Sequence, residues 1–110
     1  MMEKSLKYLS DILSAISKIE DFTKDTTQFS EYDNDLKTQS AVERQLMIIG
    51  EALNMLKKIV PEIQIEQDRQ IIGFRNRLVH AYTNIDNAVV WAILKNHINP
   101  LKAEIEKKLI

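Results

Sequence analysis

The sequence predicts an all-α protein: an antiparallel bundle of four to five helices forming one domain over 1-110. Three observations predict it. Apolar residues recur at steps of three and four through most of the 110 residues. Only two Gly and two Pro occur, too little material for the tight turns of a β protein. The 45% apolar and 28% charged residues suit one soluble, globular core, with roughly two thirds of the unfolded surface buried.

Leu6, Leu9, Leu13 and Ile16, with Ile12 and Ile19 beside them, predict a first helix near 3–22. The polar stretch "TKDTTQFSEYDN" that follows suits a connection with at most one helical turn. A long second helix is expected from about 35 to 60, with Val42, Leu46, Ile49, Leu53, Leu56 and Val60 along its inner face, until Pro61 ends it. Asp68 is the expected cap of a third main helix carrying Ile71, Ile72, Phe74, Leu78 and Val79. "TNID" interrupts the pattern after Tyr82. Asp86 then caps a last helix with Val89, Trp91, Ala92 and Ile93, which should kink or break before Pro100. Gly50 and Gly73 fall inside predicted helices, each at a cost of about 1 kcal/mol relative to Ala. Close helix approach accounts for both; at Gly73 the alternative is space for a ligand beside Arg75.

Composition also removes several function classes. Without cysteine there is no disulfide, thiol nucleophile or cysteine-based zinc site. No apolar run approaches the ~18 residues of a membrane span, and the N-terminal stretch lacks an apolar signal core, so a cytoplasmic protein is expected. His80 and His97 are far apart, and no metal cluster accompanies either. No cofactor is expected. The net charge of −1 is unevenly spread: six acids and one lysine lie between Glu20 and Asp35, whereas Arg69 to Ile85 holds three arginines and no acid.

That basic window contains "GFRNRLVHAY", residues 73–82, where the chemistry concentrates. On a helix Arg75 and Tyr82 lie about 20° apart, and Asn76 and His80 form an i, i+4 pair that lets the amide orient the imidazole. His80 stands about 140° from Arg75, so one regular helix does not stack the two. A twofold contact between protomers would bring both groups into one cleft, and flanking Phe74 and Leu78 are apolar groups that a small bundle leaves partly uncovered. Cleavage of RNA through its own 2′-hydroxyl needs a base of near-neutral pKa and a cation for charge building on phosphorus. His80 and Arg75 supply these without a metal. The same residues also suit an ordinary surface arrangement. His97 suits a structural role, Trp91, Met47 and Met55 suit the core, and Lys57 and Lys58 suit the end of the long helix.

The Arg75-Asn76-Arg77-Leu78-Val79-His80-Ala81-Tyr82 segment resembles the Arg-x4-His-x-Tyr motif of HEPN-domain proteins, and most of all the HepT-like toxins of HepT/MntA systems. "AVERQLMIIGEALNML" at 41–56, "PEI" at 61–63, "IIGFRNRLVH" at 71–80, "ID" at 85–86, "VVW" at 89–91 and "PLKAEI" at 100–105 follow in family order, so the resemblance covers nearly the whole chain. Two departures stand out: Ala81 where glycine is common, and no tryptophan in "IEQDRQ" at 65–70. The resemblance implies an HEPN-like homodimer and a metal-independent endoribonuclease with a composite cleft. It assigns Arg75 and His80 as catalytic and Asn76 as their support. It makes Tyr82 the target of AMPylation by a cognate minimal nucleotidyltransferase antitoxin. Arg77 and Arg69 are candidate contacts to the RNA backbone. The rival reading is a non-catalytic helical dimer that binds a nucleotidyltransferase or a nucleotide.

Overall fold

A computed structural model of the chain describes residues 3–80 and 85–110, and among these every regular element is helical. Six α-helices follow in order: α1 (Glu3–Phe22), α2 (Phe29–Asp33), α3 (Leu36–Ile59), α4 (Arg69–His80), α5 (Asn87–Asn96) and α6 (Ile98–Lys108). A 3-10 turn, Glu66–Asp68, runs straight into α4. Helix α3 is the central rod. It packs most extensively on α1 and next on α4, while α6 closes against α1 and α5.

The predicted stripes of α1, α3 and α4 form much of the core, whereas Val89 and Ala92, expected on the last helix, stand exposed. Leu9, Ile12, Ile16 and Ile19 of α1 face Val42, Leu46, Ile49, Leu53 and Leu56 of α3, all buried. Ile71, Phe74 and Leu78 of α4, Val90 and Ile93 of α5, and Ile98, Leu101 and Ile105 of α6 complete it. Each such side chain contributes on the order of 1.5–3 kcal/mol through burial, which is why the stripe rather than local propensity fixes each helix. Leu6 and Val79 share the apolar periodicity yet stand exposed at 41% and 52%. Phe74 and Leu78 are buried within the single chain, so they leave no uncovered apolar flank. Those two residues give no support to a dimer.

The helix ends follow local chemistry. Asp35 caps α3 by accepting from the Thr38 N–H at 3.1 Å, and Asp86 caps α5 by accepting from the Ala88 N–H at 2.9 Å. Within the polar connection, one oxygen of Glu31 accepts from the backbone N–H groups of Thr27 and Gln28, both at 3.0 Å, and from the Thr27 hydroxyl. This fastens the short α2, which lets Tyr32 sink completely into the core. The break before Pro100 comes at His97, and Pro100 takes the third position of α6, where an N–H has no intrahelical partner to lose.

Asp68 differs from its expected role. It lies buried in the 3-10 turn and its carboxylate pairs with Lys57 of α3, so Lys57 does more than answer the dipole of α3. The capping task passes to α6. Glu104 accepts from the Glu66 and Gln67 N–H groups at 2.7 and 2.9 Å, and His97 Nδ1 meets Gln67 Oε1 at 2.8 Å. The entry to α4 is thus held by side chains 30 to 38 residues away in sequence. Among the other residues expected in the core, Trp91 is half-buried, its ring 5.8 Å from Tyr32 and 6.3 Å from Phe29, while Met47 and Met55 are only half-buried.

Candidate functional site

The site begins at a crossing. Helix α4 lies so close to α3 that a Cβ on Gly50 would stand 2.6 Å from the Cβ of Arg75 and 3.2 Å from the Ile71 carbonyl oxygen. Only glycine allows that approach, and Gly50 has its explanation. Gly73 does not, because a Cβ there meets nothing within 4 Å among the described residues. Among the described residues, close approach is not the reason for glycine at 73.

The crossing brings the Arg75 stem onto α3 one residue before Glu51. The guanidinium pairs with the Glu51 carboxylate through Nη2, and its Nη1 donates to the Asn76 amide oxygen at 3.0 Å. Two acceptors therefore fix a partly exposed arginine, and the other three of its five N–H groups have no hydrogen-bond partner among the described residues. The Asn76 amide oxygen serves Arg75, and no Asn76–His80 hydrogen bond forms among the described residues.

His80 is the last residue of α4 and is exposed, one turn and a half beyond Arg75. Arg69 and Arg77 are exposed as well, at the two ends of the same helix. Tyr82 lies outside the described residues. Among the described residues no three His, Asp or Glu side chains gather so as to hold a metal ion, and no helix is long and apolar enough to cross a membrane.

A cavity of about 350 Å³ opens beside Arg75, with Tyr8 of α1 and Arg44, Met47, Ile48 and Glu51 of α3 in its wall. Sequence reasoning passed over Glu51, Arg44 and Tyr8. The signal was present for two of them: Arg44, Ile48 and Glu51 step by four and three along α3, a stripe distinct from the core stripe.

Comparison with known proteins gives the chain its family. The family described as "Ribonuclease HepT-like" matches residues 12–108. A Thermococcus cleftensis protein named "Probable ribonuclease HepT" is 42% identical over 96% of this chain and 97% of its own length. Two Methanocaldococcus jannaschii proteins with provisional RNase names are 35% and 40% identical, over 97% and 91% of this chain and 93% and 83% of their own lengths. No solved structure matches. A match running through all the long helices, and through both the Gly50-Glu51 seat and the Arg75 and His80 helix that rests on it, places the chain in the HepT-like ribonuclease family.

Proposed function

We propose that the protein is a metal-independent endoribonuclease, the toxin of a toxin–antitoxin pair. The observation that carries this is the Arg75 guanidinium, held by Glu51 and Asn76 with N–H groups to spare, five residues before an exposed imidazole on the same helix. His80 takes the proton of the 2′-hydroxyl. The 2′-oxygen attacks phosphorus, the bond to the 5′-oxygen breaks, and the departing oxygen takes a proton back from the imidazolium. The products are a 2′,3′-cyclic phosphate and a 5′-hydroxyl. Arg75 stabilises the charge on the pentacoordinate phosphorus, and Asn76 acts through Arg75.

Arg75 and His80 point about 140° apart on a regular helix, which favours a homodimer whose two α4 helices share one cleft. Control falls to Tyr82. A nucleotidyltransferase partner attaches AMP to its hydroxyl and releases pyrophosphate from ATP. The added phosphate then competes with RNA for Arg75.

The test is RNA cleavage by the purified chain with EDTA present, before and after incubation with ATP, Mg²⁺ and a cognate nucleotidyltransferase. Cleavage that resists EDTA and stops once Tyr82 gains AMP is expected. Cleavage that needs added metal overturns the mechanism. Modification elsewhere, or without effect on cleavage, overturns the control.

A further inference from the structure

Arg44 stands where two cavities share a wall. The first, about 350 Å³, reaches Arg75; the second, about 250 Å³, runs past Met47 to Leu78 and Ile85. Arg44 and Met47 line both, so the two adjoin and line up as a trough alongside α4, from Arg75 to within two residues of His80 in sequence. Its floor is apolar, from Met47 and Ile48, with the Tyr8 ring at one end.

The charges in this trough are unevenly spent. Asp11 pairs with Lys7 at 2.9 Å, and Glu51 pairs with Arg75. Arg44 is exposed and makes no ion pair or side-chain hydrogen bond among the described residues. Glu43, in the second cavity, is the remaining acid of the wall. Arg44 and Glu51 are seven residues apart on α3, so Arg44 sits about 10 Å along the helix from the carboxylate that holds Arg75.

We propose that this trough is the path of the RNA strand, with Arg44 binding the backbone phosphate next to the scissile one and the apolar floor receiving a base. The proposal rests on the reading of Arg75 as the group that receives the scissile phosphate. Its chemistry is that of single-strand recognition: a cation for each phosphate, and flat apolar or aromatic surface for bases of any sequence. An unpaired arginine fork suits a phosphate, and its position beyond Arg75 separates a binding contact from a reacting one.

The experiment measures binding of an uncleavable 2′-O-methyl RNA oligonucleotide over a salt series, so catalysis does not enter. Arg44→Ala and Arg44→Gln are expected to weaken binding about tenfold at low salt and to reduce the slope of log affinity against log salt by about 0.7, one phosphate contact. Arg44→Lys should keep most of that slope. An unchanged slope in both neutral variants overturns the proposal, as does a loss that light scattering traces to altered assembly. A wild-type chain that binds this RNA but cuts no substrate would defeat the nuclease reading while leaving the Arg44 contact measurable.

Discussion

Gly50 and Arg75 occupy the same space to within a methyl group: a Cβ on the first would lie 2.6 Å from the Cβ of the second. Both positions belong to backbone-proximal atoms, so neither can swing aside. Gly50→Ala must therefore push α3 and α4 apart. Overpacking of this kind costs about 1–3 kcal/mol, against about 1 kcal/mol gained in helix propensity. The expected result is a lower Tm together with slower RNA cleavage, because Arg75 loses its seat. Gly73→Ala meets open space and should raise stability by up to about 1 kcal/mol. If Gly73→Ala also halves the mass seen by light scattering, a second copy packs at that spot.

Glu51 should behave as a positioning residue. It is half exposed, so the ion pair with Arg75 adds less than about 1 kcal/mol to folding. Loss of its hold on the guanidinium should instead appear in turnover. Glu51→Ala is expected to lower kcat about tenfold, or about 1.4 kcal/mol of transition-state stabilisation, with Tm nearly unchanged. Glu51→Gln retains an acceptor oxygen and should recover part of the rate. An equal loss in stability and activity would make Glu51 merely structural.

His80→Ala and Arg75→Ala should each reduce cleavage by roughly 10²–10⁴-fold with EDTA present. His80 is exposed at a helix end, so its variant should fold as the wild type does. Circular dichroism checks the fold and single-turnover cleavage checks the rate. A folded variant that cleaves undiminished removes that residue from the mechanism.

Stability should carry a pH signature from Glu43. Burial lifts this carboxyl above its ordinary value of 4.5. The folded state therefore keeps a proton that the unfolded chain has already released. The associated stability is present below the ordinary value and is lost as pH rises through the lifted one. Glu43→Gln, which carries no charge, should melt higher than wild type at pH 7, with the gap shrinking below about pH 4.5. Thermal melts at both pH values decide it; a gap that grows in acid contradicts the assignment.

The helices were legible because burial follows a period that the sequence displays. Leu9 to Ile19 and Val42 to Leu56 show their inward faces without any structure. The candidate residues on α4 were legible as chemistry, through their spacing and resemblance to a family. Their surroundings were not. Glu51 and Arg75 are 24 positions apart, and nothing in either neighbourhood announces the pair; only the crossing at Gly50 creates it. Tyr32 was hidden for a different reason. Its neighbours are polar, and periodicity has no purchase on a single buried side chain in a five-residue helix. Phe74 and Leu78 look uncovered on an isolated helix because the walls that bury them come from elsewhere in the bundle.

The hold of Glu104 and His97 on the entry to α4 has a consequence for the order of biosynthesis. Every proposed reacting group is translated by residue 82, yet the carboxylate that fastens the 3-10 turn ahead of α4 comes from α6. A nascent chain that has only just exposed Arg75 and His80 has α3 for α4 to rest on but lacks the carboxylate that fastens the turn ahead of it. The turn ahead of α4 takes its final form only when the last helix, α6, emerges and docks.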